Sequence, residues 1–334
     1  MRYIITLDTG TTNTRVCLWD RAFQLAASAK AEVGVRNTAI DGDNRRLKAA
    51  VKDCLEQALQ CAGAGYEDVA LIIASGMITS NVGLVEIAHC VVPAGADELA
   101  AAVRRVELPE ICPLPIHFIP GVKNAAGAVD FTNFEAMDIM RGEEVESVAM
   151  LAHYPQGRSY LLVLPGSHMK FVCVNAQGQI TGCLTSISGE LLASITNHTI
   201  IADAVGRQFA QAETYNREMV LLGYDTAARS GIGRACFSAR ILSQFATRDT
   251  AKLANYLLGV ALQSDLVGIR HSSALQVSRE TDVIVAGKDP LRQAMVDLLE
   301  HDAYFAHVHT YIPEDAHPLS AAGALIIAKK LGVL

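Results

Sequence analysis

Three observations predict an α/β fold built from two similar halves. The apolar runs at residues 3–7 and 16–19 enclose a polar stretch, so they read as a β-hairpin beginning at the second residue. A like hairpin recurs at residues 161–164 and 171–174, which points to a duplicated unit. Between and after the hairpins, helical and strand patterns alternate, and 334 residues with 51% apolar content can supply two cores. The division expected is 1–139, 140–318 and a closing helix at 319–334 that packs back on the first half.

The first turn, Asp8-Thr-Gly-Thr-Thr-Asn-Thr-Arg15, holds a carboxylate, a glycine and several hydroxyls within eight residues. That set suits the phosphates of a nucleotide carrying Mg²⁺. Gly10 lets backbone N–H groups approach a phosphate, Thr11 and Thr12 add donors beside Asn13, and Asp8 can hold the metal through water. Alone, such a turn fits an ordinary surface hairpin equally well. The second copy shifts the balance: at an offset of 156 residues, Gly10-Thr11 becomes Gly166-Ser167 and Val16-Cys17-Leu18 becomes Val172-Cys173-Val174. One such turn from each half can close on a single nucleotide, with Gly166, Ser167, His168 and Lys170 on the second side. His168 either faces phosphate there or caps the loop.

Composition excludes other classes. A formal net charge of −7, 19% charged residues and no Lys/Arg cluster argue against nucleic acid, whose backbone needs a basic face. No apolar stretch approaches the ~18 residues of a membrane span, and the N-terminal run is too short for a signal peptide, so a soluble, cytoplasmic protein is expected. Eight cysteines without a C-x-x-C pair read as reduced, mostly buried side chains.

Residues 24–32 predict a third antiparallel strand. Leu47, Val51, Leu55, Ala58 and Leu59 have helical spacing and predict a helix over 43–61, capped by Asp43. The continuous run 69–74 predicts a buried parallel strand. It ends in Ser75-Gly-Met-Ile-Thr-Ser-Asn-Val-Gly83, where an open α/β sheet places its ligands, so Gly76, Met77, Ser80 and Asn81 are candidates for a substrate loop. Five of the ten prolines lie in 91–121, which predicts irregular structure. Met140-Arg-Gly-Glu-Glu144 then opens a helix over 144–153.

The second hairpin continues through a turn at 175–178 into a strand at 179–185, completing a three-stranded meander. Helices are expected at 191–197, 202–222, 235–245 and 251–273. A strand at 282–287 ends in Ala286-Gly287, where a glycine lets adenine and ribose lie close to backbone. A helix at 290–301 with proline in its first turn, a strand at 306–311 and a helix at 319–331 close the chain. His307 and His309 are spaced like a metal pair, but nothing nearby in sequence completes a ligand set. Trp19 reads as core.

At these motifs the chain resembles the sugar-kinase branch of the actin, Hsp70 and hexokinase superfold, and more closely the 2-dehydro-3-deoxygalactonokinase family. The matching stretches are Asp8-x-Gly-x-Thr-Asn, Gly76-Met-x-x-Ser-Asn-Val-Gly83, Met140-Arg-Gly-Glu-Glu144, Pro165-Gly-x-His-x-Lys170, Gly189-Glu-Leu191 and Val285-Ala-Gly287. The resemblance implies two ribonuclease-H-like, actin-like ATPase domains around a central cleft. It also implies ATP- and Mg²⁺-dependent phosphorylation of the C6 hydroxyl of 2-dehydro-3-deoxy-D-galactonate in galactonate breakdown. Related glycerol and xylulose kinases carry a Gly-Asp-Gln segment at a similar distance before the second phosphate turn. The aspartate aligns with Glu143, and either Glu143 or Glu144 is the base. Arg15 and Arg141 are the arginines nearest the motifs; the sugar acid's carboxylate calls for one of them, Arg141 first, although Arg141 could instead pair with Glu143 or Glu144. Glu190 is placed on the sugar side.

Two alternatives stay open: a kinase for another sugar acid or keto-sugar, and an actin- or Hsp70-like ATPase of non-metabolic function. The expected partner is a small sugar acid, with no nucleic acid and no membrane, and a homodimer is left open.

Overall fold

The computed structural model describes residues 3–125, 127–313 and 317–332; Met1 and Arg2, at the start of the expected first hairpin, lie outside them, as do the last two residues of the closing segment. The first apolar runs form β1 (Tyr3–Thr9) and β2 (Thr14–Trp19), antiparallel, followed by β3 (Leu25–Ala31). Short α1 (Val35–Asp41), which the sequence reading lacks, precedes α2 (Arg45–Cys61). Asn44 rather than Asp43 is the residue before α2; the Asp43 carboxylate accepts the Arg45 N–H at 2.9 Å just outside it. The run at 69–74 becomes β4 (Val69–Gly76), parallel to β1 and buried as expected.

The expectation of irregular structure over 91–121 is corrected. That segment carries β5 (Cys90–Val91), α3 (Ala96–Ala102), β6 (Arg104–Val106) and β7 (Ile116–Phe118), and the last two extend the main sheet. Its prolines sit between these elements, and the elements are too short to show a period. β8 (Val122–Lys123) and β9 (Ile139–Met140) join β5 in a small sheet, and α4 (Glu143–Leu151) follows.

The second meander is β10 (Tyr160–Leu164), β11 (Met169–Val174) and β12 (Ile180–Ser186). Then come α5 (Ser188–His198), α6 (Arg217–Ser230), α7 (Ile232–Phe245) and α8 (Thr250–His271). The helix expected over 202–222 is another correction. Two 3₁₀ turns, Ala202–Val205 and Ala212–Thr214, form before α6, Gly206 turns left-handed at φ 62°, and α6 itself starts only at Arg217, where the Asn216 side chain accepts the Met219 N–H. β13 (Asp282–Val285), α9 (Leu291–Asp302), β14 (Val308–Thr310) and α10 (Leu319–Lys330) complete the chain.

The two large sheets have equivalent topologies: β3-β2-β1-β4-β7-β6 and β12-β11-β10-β13-β14. Each is an antiparallel meander extended by parallel strands, the ribonuclease-H-like arrangement that the resemblance implies, and the first sheet adds β6 antiparallel to β7 at its edge. One core lies beneath the first sheet against α2, and another beneath the second sheet against α5 to α9. A third fills the space between the sheets, uniting Ile4 and Ile73 with Leu162, Ile284, Val145 and Ile327. α4 and α10 cross inside this shared core at Gly323, where a Cβ would stand 1.9 Å from the Val145 carbonyl oxygen. Trp19 is buried, and its indole N–H donates to Thr6 Oγ1 at 2.9 Å. Among the described residues no helix is long and apolar enough to cross a membrane.

Candidate active site

Four parallel strands aim their carboxyl ends at the cleft between the sheets, where ligands of open α/β sheets bind. β1 ends in Asp8 and Thr9, in register with Ser75 and Gly76 at the end of β4. From the other side β10 runs into Pro165 and β13 into Ala286. Two cavities occupy the cleft. The larger, about 840 Å³, is walled by the first turn, the Gly76 loop and the segment from Asp138 to Glu146. The smaller, about 470 Å³, lies among Gly166, Ala286, Gly287 and Leu291. Glu146 borders both.

The first turn is held rigidly. The Gly10 N–H donates to the Asn13 carbonyl at 2.9 Å, and the carbonyls of Gly10 and Thr11 accept the N–H groups of Val35 and Arg36 at the start of α1. A Cβ on Gly10 would meet nothing within 4 Å, so the space above it is free for a ligand. Gly10 and Thr11 line the larger cavity; Thr12 and Asn13 bond one another at 2.8 Å outside its wall.

Asp8 anchors this wall. Its Oδ2 accepts from Ser320 Oγ of α10 at 3.2 Å. Its Oδ1 lies against Gly76, whose φ of +87° and missing side chain are both required, since a Cβ would be 2.7 Å from that oxygen. Burial raises the Asp8 pKa, opposed by the Ser320 bond and the charge of Arg15; the charge of Glu143 adds to the rise. Arg15 stands opposite Asp8 in the hairpin, outside the cavity wall itself, and its charge opposes the rise in pKa of both Asp8 and Glu146.

The Gly142 segment separates its two glutamates. Glu143 lines the cavity, with Oε2 accepting the Arg141 N–H at 3.1 Å. Glu144 points the other way, is fully buried and accepts the Gly142 N–H at 2.8 and 2.9 Å. Burial and then the Glu143 charge push its pKa up to about 8. Its expected place beside the reacting groups is therefore corrected: it braces the turn before α4.

Arg141 does line the cavity, but it pairs with neither glutamate through its guanidinium. It donates instead to Thr79 Oγ1 and the Ile87 carbonyl, both at 2.7 Å, and faces His89 Nδ1 at 3.4 Å. Burial and then the charges of Arg141 and Lys123 lower the His89 pKa to about 4, leaving the ring neutral beside the cation. Met77, Ser80 and Asn81 lie on the same wall, the Ser80 hydroxyl donating to the Met77 carbonyl at 2.7 Å.

On the second side, His168 and Lys170 reach the larger cavity and Gly166, Ala286 and Gly287 border the smaller one. Ser167 is exposed beyond both cavity walls. Glu190 lies off the wall too, its Oε1 3.1 Å from His168 Nε2. Glu146, His89, Asp138 and Thr185 also line the larger cavity and were missed in the sequence. Glu146 carries a legible signal, standing three residues after Glu143 on the same helical face. Burial, then the charges of Glu143 and Asp8, push its pKa up to about 8 against the pull of Arg15. His89 and Asp138 have no motif around them.

A Rhizobium meliloti protein provisionally named 2-dehydro-3-deoxygalactonokinase is 32% identical over 144 residues, a match covering 43% of this chain and 42% of that protein. A crystal structure from Sinorhizobium meliloti, with the same provisional name, superimposes with a TM-score of 0.72 at 24% identity over 98% of both chains, which bears on the fold. The profile of the 2-keto-3-deoxy-galactonokinase family matches residues 8–323, nearly the entire sequence, and the chain belongs to that family.

Proposed function

We propose that the protein transfers the terminal phosphoryl group of ATP to the C6 hydroxyl of 2-dehydro-3-deoxy-D-galactonate, giving the 6-phosphate and ADP in galactonate breakdown. One observation carries this reading: Glu143 shares a single cavity wall with the first phosphate turn and the Gly76 loop. A carboxylate there can orient a sugar hydroxyl and accept its proton as the oxygen attacks phosphorus. The smaller cavity, with backbone at Ala286 and Gly287, suits adenosine, and Glu146 borders both it and the larger one.

The donor set fits Mg²⁺. Asp8 offers hard carboxylate oxygens, and among the described residues no three His, Cys, Asp or Glu side chains converge to enclose an ion. Asp8 would thus hold a hydrated ion shared with the nucleotide. Such an ion, when bound, neutralises phosphate charge. Ser320 and Gly76 fix the Asp8 carboxylate; Gly10 leaves room for phosphate oxygens. Arg141, fixed by Thr79 and Ile87, presents positive charge to the sugar acid's carboxylate.

NMR of the product tests the proposal. Phosphorus coupling to C6 and its protons is expected after incubation with ATP, Mg²⁺ and the sugar acid. Coupling at another carbon, or no sugar phosphate at all, overturns the regiochemistry or the reaction.

A further inference from the structure

Lys170 belongs to the second phosphate motif, and the simplest expectation makes it a phosphate ligand. Its surroundings are different. The residue is only 5% exposed, and its ammonium donates to the Ile139 carbonyl at 2.9 Å and, at close range, to Thr185 Oγ1. Asp138 Oδ1 stands 4.0 Å away. Thr185 completes the network: its hydroxyl donates to Asp138 Oδ1 at 2.9 Å and its N–H to Asp138 Oδ2 at 2.5 Å. Two of the three ammonium donors are therefore occupied and its charge is matched by a carboxylate.

Asp138 and Ile139 precede the Arg141-Gly142-Glu143 turn, whereas Lys170 and Thr185 lie on β11 and β12 of the second sheet. Asn124, next to β8, adds a further tie to β12, donating to the Cys183 carbonyl at 2.9 Å and accepting the Cys183 N–H at 2.8 Å. We propose that Lys170 is a positioning residue that clamps the 138–142 segment to the second meander and so fixes Glu143 in the cleft, rather than a ligand of the nucleotide phosphates. A cation committed in this way adds little pull on a triphosphate, but its loss frees the chain that aims Glu143. The inference rests on the reading of Glu143 as the base.

The test compares Lys170→Met, Thr185→Val and Thr185→Ser in the full-length protein. Titration calorimetry with a non-hydrolysable ATP analogue should give Lys170→Met a Kd within about threefold of wild type, while kcat falls on the order of 10-fold or more. Thr185→Val should lower kcat in the same direction and Thr185→Ser should restore it, which keeps the test open if Lys170→Met does not fold. Hydrogen exchange at the amides of 140–143 should quicken in both Lys170→Met and Thr185→Val. A nucleotide Kd weakened tenfold or more by Lys170→Met, or a Thr185→Val enzyme with wild-type turnover and exchange, overturns the clamp. If wild type makes no ADP with any sugar acid, the base assignment fails, while the Kd and exchange comparisons still decide whether Lys170 clamps this segment.

Discussion

Ser320 Oγ donates to Asp8 Oδ2 at 3.2 Å, joining the last helix to the first strand across 312 residues. The bond opposes the effect of burial, which raises the Asp8 pKa. Ser320→Ala should therefore raise that pKa further and shift the acidic limb of the kcat profile toward higher pH, with the Mg²⁺ concentration for half-maximal rate rising as well. An unchanged pH profile and unchanged Mg²⁺ dependence would separate Ser320 from the function of Asp8.

Gly76→Ala places a methyl group 2.7 Å from Asp8 Oδ1 and 2.8 Å from the Thr9 carbonyl oxygen, at a φ of +87°. The strained backbone alone costs on the order of 1–3 kcal/mol. Urea unfolding should show a lower midpoint, and turnover should fall because the displaced atom belongs to Asp8. A variant with wild-type stability and rate would show that Gly76 is replaceable.

Glu144 is a buried acid with its pKa raised to about 8 from an ordinary carboxyl value of 4.5. The folded state then binds more protons than the unfolded chain between these values. Its contribution is complete below about 4.5 and declines as pH rises through 8. Glu144→Gln keeps an acceptor for the Gly142 N–H without the charge. Its melting temperature should fall less between pH 6 and 9 than that of wild type, and it should retain most turnover. A large loss of kcat would return Glu144 to the reacting groups.

Arg141→Ala should raise KM for the sugar acid far more than KM for ATP, by the loss of a charge-assisted bond on the order of 10-fold or more. Initial-rate kinetics with each substrate varied in turn measures this. A change confined to the ATP parameters would place Arg141 on the nucleotide side.

The duplicated hairpins were legible because each combines a strand period with a turn of unusual composition. From them followed both meanders, Asp8, Gly10 and the second turn. Glu143 was legible through the resemblance of the Gly142 segment to the Gly-Asp-Gln of related sugar kinases, but its separation from Glu144 was not, because that depends on where α4 begins. The Pro-rich segment hid two sheet strands, since three-residue strands such as Arg104–Val106 carry no pattern. His89, Asp138 and Thr185 reach the cavity through tertiary packing alone, which no local pattern records.

The central claim is that Glu143 serves as base in the phosphorylation of a sugar acid. Its most direct test is coupled ADP release with ATP and Mg²⁺, comparing wild type and Glu143→Gln on 2-dehydro-3-deoxy-D-galactonate and on neutral hexoses. Wild type should release ADP only with the sugar acid, and Glu143→Gln should bind it normally while kcat falls by a factor on the order of 10² or more. Equal turnover of a neutral hexose by wild type, or a Glu143→Gln enzyme as fast as wild type, would contradict the account.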